Sequence, residues 1–245
     1  MNTADRRASG YALALVVVAS TWTTLAWRGP LTGQLGFWFV ASLLAELMWI
    51  RLPMGQATLS MASCAHFAAL LVLPRGQAMA VVAISGAIAE AALLRKPAQR
   101  VAFNAAQSAI AVGSASFVLG LYGGGARALH DMTQFPAAVS LLLAAFSYFV
   151  VNTVAVSGAV ALSGRTSLRV AWQRNFGTSY ELISSAALFS LGISLAYQYL
   201  HAGPGGALLV VCPILLAHQG YRQYVRQLPQ AAHAHASEQQ GVRAA

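Results

Sequence analysis

An all-helical bundle embedded in a membrane, with about eight spans, six as the alternative, and both termini cytoplasmic, is the fold this sequence predicts. Three observations predict it. Hydrophobic residues make up 58% of the chain and charged residues only 9%, whereas a soluble domain carries roughly a quarter charged. Eight apolar stretches, each near the length needed to cross a bilayer, fill almost the whole sequence. Of the 15 Lys and Arg, 12 fall in alternate gaps between those stretches, the pattern of the positive-inside rule.

Taken in order, the expected spans are residues 10–27, 31–50, 57–73, 77–94, 101–121, 136–162, 179–199 and 205–221. Hydrocarbon about 30 Å thick asks for around 20 helical residues, so the third and fourth are short and the sixth is long. Residues 1–9 form a cytoplasmic N-terminus, with Arg6 and Arg7 ahead of a first helix too long for a signal-peptide core and expected to stay uncleaved. The inner gaps hold Arg51, then Arg95, Lys96 and Arg100, then Arg165, Arg169 and Arg174, then Arg222, Arg226 and Arg243; the outer gaps hold Arg28, Arg75 and Arg127. The third span carries Thr58, Ser60, Ser63, Cys64 and His66 and also reads as a re-entrant or surface helix, which opens the six-span alternative with an incomplete hairpin at 57–94. Small residues around the fourth span, and Gly113 and Gly120 on the fifth, predict close helix packing. Trp22, Trp27, Trp38, Trp49 and Trp172 are expected as interfacial anchors. The Gly123-Gly124-Gly125 run reads as a flexible connector, and the tail 223–245, without periodicity, as disordered.

Several function classes are excluded by what this arrangement lacks. The net charge of +9 is dispersed at span ends rather than gathered on one face, which argues against a nucleic-acid partner. Cys64 and Cys212 lie inside spans and offer neither a disulfide framework nor a metal site. His233 and His235 in a tail are a weak pair, so no metal and no cofactor are expected. No HExxH, GxSxG or Walker loop occurs.

Polar groups inside the membrane then carry the information, because an ionisable side chain at mid-depth costs about 2.5 to 3.5 kcal/mol on insertion scales and must face protein or water. Glu46, Glu90 and Glu181, with Asn104 and Gln107 three apart on one helical face, all fall toward the expected cytoplasmic side. Asn152 lies deeper. Glu46, Asn104, Gln107 and Asn152 are the ligand-binding candidates, while Glu90, Glu181, Arg51 and Arg100 are assigned to structure or coupling. In the structural reading, Glu46 and Glu90 pair with Arg51, Arg95, Arg100 or Arg174; in the functional one, the same groups line a cavity. His66 is expected as a helix–helix hydrogen-bond partner.

The stretches Glu46-Leu-Met-Trp-Ile-Arg51-Leu52-Pro53-Met-Gly55, Ser60, Arg100-Val-Ala-Phe103-Asn104-Ala-Ala-Gln107 and Tyr148-Phe-Val-Val-Asn152-Thr153 resemble the multi-span sensory module that precedes HD-type phosphodiesterase and diguanylate cyclase domains in bacterial receptors. That module is similar in turn to the six-helix fold of the substrate-binding subunits of energy-coupling-factor vitamin transporters. The resemblance covers about residues 46–222, so that 51–222 would be a six-helix module preceded by two extra helices at 10–50. It implies ligand binding or signal reception in a bacterial cytoplasmic membrane and no chemistry there. The receptors carry an output domain after the last span, whereas this sequence ends about two dozen residues beyond it; the expectation is a separate cytoplasmic output protein. The bilayer, a small-molecule ligand and a second copy of the chain complete the expected partners. A transporter component is the alternative function, and an intramembrane enzyme is the third class.

Overall fold

The computed structural model describes the backbone of residues 3–51 and 58–244, and side chains for 6–48, 61–216, 219, 220 and 223. Nine α-helices and one short β-ribbon are described: α1 (Thr3–Ala26), α2 (Gly33–Leu47), β1 (Trp49–Arg51), β2 (Thr58–Ser60), α3 (Ala62–Val72), α4 (Arg75–Ile88), α5 (Ala98–Tyr122), α6 (Gly125–His130), α7 (Phe135–Gly164), α8 (Leu168–Phe176) and α9 (Ser179–Ala244). Among the described residues, five helical stretches are long and apolar enough to cross a membrane: Arg6–Ala26, Arg75–Leu93, Ala98–Tyr122, Phe135–Gly164 and Ser179–Leu216. Their outward faces carry large apolar side chains such as Leu13, Phe117, Leu142, Phe146, Ile183 and Leu209, as a lipid-facing surface requires.

These five stretches take up the first, fourth, fifth and sixth expected spans, with the seventh and eighth as two parts of one. The last stretch breaks at Gly203, whose φ of 64° and ψ of −159° are non-helical. The chain doubles back there, since a Cβ on Gly206 would meet the carbonyl of Gln198, eight residues earlier. Beyond it the helix assignment continues to Ala244, where the sequence reading expected no regular structure; the Ala, Gln and Glu of that tail are good helix formers.

The second and third expected spans differ most from expectation. Helix α2 has 15 residues and α3 only 11, so α3 extends about 16 Å at 1.5 Å per residue, near half the hydrocarbon thickness. Between them β1 and β2 pair antiparallel, with Trp49 opposite Ser60 and Arg51 opposite Thr58. Trp49, Ile50 and Thr58 favour strand, and Pro53 and Gly55 resist helix. The Leu52-Pro53-Met-Gly55 stretch and the side chain of Arg51 lie outside the described residues. Helix α3 is no surface helix: every residue from Cys64 to Leu71 is buried. It packs on α9, where a Cβ on Gly192 would come within 2.8 Å of the Cys64 carbonyl, the close approach that small residues permit.

Around α3, α4 and α5 the core gathers Phe67, Leu71, Met79, Val81, Val82, Val112 and Leu119. Gly113 lets α5 sit against Met79 and Trp22 as expected. Trp38, anticipated as an interfacial anchor, is fully buried, stacked with Phe37 and Tyr199. The glycine run is an ordered turn, with Gly123 and Gly124 at φ of 109° and 104° closing α5 before α6 begins.

Side-chain contacts fix how the helix ends group. Gln99 at the start of α5 donates to Ser9 near the start of α1 at 3.0 Å, and Tyr11 reaches the Ala155 carbonyl late in α7 at 3.2 Å. Arg7 and Arg165 line one cavity at that end, and Arg28 and Arg75 line another at the opposite end. The basic gaps at the N-terminus and after α4 and α7 therefore share one end of the bundle.

Candidate functional site

Near that basic end, α2, α3, α4, α5 and α7 enclose a cavity of about 310 Å³. Glu46, Asn104, Gln107 and Asn152, the four ligand-binding candidates, all line it. Ser63, His66, Glu90, Ser108 and Tyr148 complete its polar wall, with Val82 and Val156 among its apolar lining. Helical spacing explains the convergence: Ser63 and His66 are three apart on α3, and Tyr148 and Asn152 are four apart on α7.

One side of the cavity is a chain of polar contacts. The Tyr148 hydroxyl lies 3.3 Å from His66 Nδ1, and His66 Nε2 lies 3.3 Å from Glu46 Oε1, close but not aligned as a hydrogen bond. The ring thus stands between a hydroxyl on one nitrogen and a carboxylate near the other. The helix–helix role expected for His66 is thus met, and the same ring also faces the cavity. Across from it, Gly86 has no side chain, and a Cβ there would stand 3.3 Å from Glu46 Oε1.

Glu90 is held differently. It is 6% exposed and sits in a π-helical turn, Ala89–Leu93, that continues α4. Asn104 Nδ2 donates to both its oxygens, at 2.7 and 2.9 Å, and Lys96 Nζ pairs with Oε1. Lys96 reaches back because Arg95 takes a left-handed conformation, φ 51°, and the Lys96 N–H closes on the Glu90 carbonyl at 2.9 Å. That bond reaches back six residues, one more than the Schellman bond that ends an α-helix, in keeping with the wider π turn it closes. The arginines expected as partners of Glu46 and Glu90 do not take that role among the described residues: His66 and Lys96 do, and Arg100 is exposed. Glu181 lies outside the cavity, its backbone N–H donating to Thr178 Oγ1 at 3.3 Å.

Gln107 is the group left over. It is 8% exposed, its Nε2 donates to Ser108 Oγ at 3.0 Å, and its Oε1 is buried without a hydrogen-bond partner. Buried polar atoms are nearly always paired; of those without a hydrogen-bond partner among the described residues, Gln107 Oε1 and His66 Nε2 are the ones on residues that line this cavity. Three other cavities among the described residues, of about 330, 390 and 780 Å³, are lined mainly by apolar side chains with one or two arginines and bring no acid and amide together. Among the described residues no cluster of three or more His, Cys, Asp or Glu could hold a metal ion.

No curated protein and no solved structure matches the chain. The family model of MASE9, a family of membrane-associated sensory domains, matches residues 32–219, a span that takes in every residue lining the cavity. By that match, over most of its length, the chain belongs to the MASE9 family.

Proposed function

We propose that this sensory module binds a small ligand in the cavity between α2, α3, α4, α5 and α7, within a bacterial cytoplasmic membrane, and signals to a separate cytoplasmic protein without carrying out chemistry itself. The observation that carries the reading is the Gln107 amide, buried on the cavity wall with one polar atom unused. The volume of about 310 Å³ is at the small end of ligand sites, which run from roughly 300 to 1,000 Å³. A ligand touching Glu46, Gln107 and Asn152 bridges α2, α5 and α7, and binds best at one relative tilt of those helices. It therefore shifts the population toward that tilt, and the basic end, where the cavity lies, is where an output protein would read the change.

Native mass spectrometry of the full chain in mild detergent tests this. A small-molecule adduct should accompany the wild-type protein and be lost from the Gln107→Leu, Asn152→Leu double variant. An adduct retained in the double variant at wild-type intensity removes the cavity from the site.

A further inference from the structure

We propose that the cavity selects a small organic cation bearing N–H donors, with Glu46 as its counter-charge; this rests on the cavity being the ligand site. The charged and polar groups facing the space set this preference. Glu90 is neutralised by Lys96 and clamped by two hydrogen bonds from Asn104. Tyr148 contacts one ring nitrogen of His66, whose other nitrogen lies 3.3 Å from Glu46 Oε1. Among the described residues no arginine lines the cavity. One carboxylate, Glu46, therefore remains without a Lys or Arg partner among the described residues, its ion-pair contact there being the His66 imidazole.

A ligand anion would meet that carboxylate in a cavity with no Lys or Arg among its described lining, whereas an ammonium group would set a full positive charge beside it. Charge-assisted hydrogen bonds of this kind are the stronger ones, and they gain further where water is excluded. Gln107 Oε1 adds a second acceptor. The amide orientation that leaves this acceptor free is the one in which Nε2 donates to Ser108 Oγ. A bare metal ion fits less well: no third ligand joins Glu46 and His66 among the described residues, and Val82, Ala105 and Val156 suit a carbon body behind the charged head.

The test measures melting temperatures of the purified full chain at constant ionic strength with ethanolamine hydrochloride, choline chloride or sodium glycolate. Choline is a cation without N–H donors, and glycolate is a near-isosteric anion. Ethanolamine should raise the wild-type melting temperature saturably, while choline and glycolate do not. In Glu46→Gln, which keeps an acceptor for His66, half-saturation should move about tenfold or more, as the loss of one charge-assisted contact implies. Gln107→Leu, which removes no charge, should weaken ethanolamine as well and serves if Glu46→Gln does not fold. Equal stabilisation by choline overturns the N–H requirement. Stabilisation by glycolate, unchanged ethanolamine binding in both variants, or no shift with ethanolamine overturns the cation class. A co-purified adduct lost from the Gln107, Asn152 double variant, together with any of those results, would sink the cation and leave the cavity standing.

Discussion

Two glutamines on neighbouring helices are equally removed from solvent and do opposite things. Gln77, near the start of α4, is 3% exposed, and its Nε2 donates to the carbonyls of Arg28 and Pro30 at 2.8 and 3.1 Å. It ties the turn between α1 and α2 to the bundle. Gln107, in the first half of α5, is 8% exposed, donates to the hydroxyl of the next residue, and leaves its oxygen unused. Burial alone does not separate a structural amide from a binding one. The hydrogen-bond accounting does, since a buried donor or acceptor without a partner costs about 1 to 3 kcal/mol and is retained only where something repays it.

That distinction orders the consequences of substitution. The largest loss is expected at Asn104, whose amide is committed entirely to a buried carboxylate. Asn104→Leu leaves Glu90 with Lys96 alone and should cost about 2 to 3 kcal/mol, the range for hydrogen bonds to charged groups, read as a fall in melting temperature in detergent. A neutral result would mean that the Glu90 clamp is not under load, and the contrast between committed and uncommitted amides would lose its strongest member.

Gln77→Leu comes next. Two neutral bonds between helices, each of order 0.6 kcal/mol in membrane proteins, predict a loss of about 1 kcal/mol with no effect on ligand-induced stabilisation. Gln107→Leu should do the reverse: stability within about 0.5 kcal/mol of wild type, because an unpaired polar atom is replaced by an apolar group, and ligand-induced stabilisation abolished. If Gln107→Leu proves as costly as Gln77→Leu, its oxygen is satisfied by a buried water, and the two glutamines are alike.

Much of this was legible in the residues. The four candidates Glu46, Asn104, Gln107 and Asn152 stood out because ionisable and amide side chains are expensive in an apolar stretch, and helical periodicity with the alternating arginines placed them toward one end. The structure brings all four to one cavity. Lys96 as the partner of Glu90 was not legible: six residues apart on a straight helix, the two would sit on different faces, and only the π-turn and the left-handed Arg95 bring Lys96 back. Trp38 was misread because tryptophan near a span end suits an interface and a core equally, and packing by Phe37 and Tyr199 decided it. The ribbon at Trp49–Arg51 and Thr58–Ser60 was hidden by apolar composition, which a buried strand and a membrane helix share.

Gly86→Ala is the smallest and the most discriminating of these changes, because it tests how firmly Glu46 is held. The added methyl would stand 3.3 Å from Glu46 Oε1, so the carboxylate must yield by a few tenths of an ångström. Replacing an interior helical Gly by Ala contributes up to about 1 kcal/mol in helix propensity, and the tip of a flexible side chain gives way at little cost. Stability should therefore be unchanged or slightly raised, while ethanolamine binds about two- to threefold more weakly because its counter-charge has moved, a change worth about 0.5 kcal/mol. A clear loss of stability would show that Glu46 cannot shift. A carboxylate fixed that tightly has a structural role, as Glu90 does, and the negative charge assigned to the ligand would already be committed to the fold.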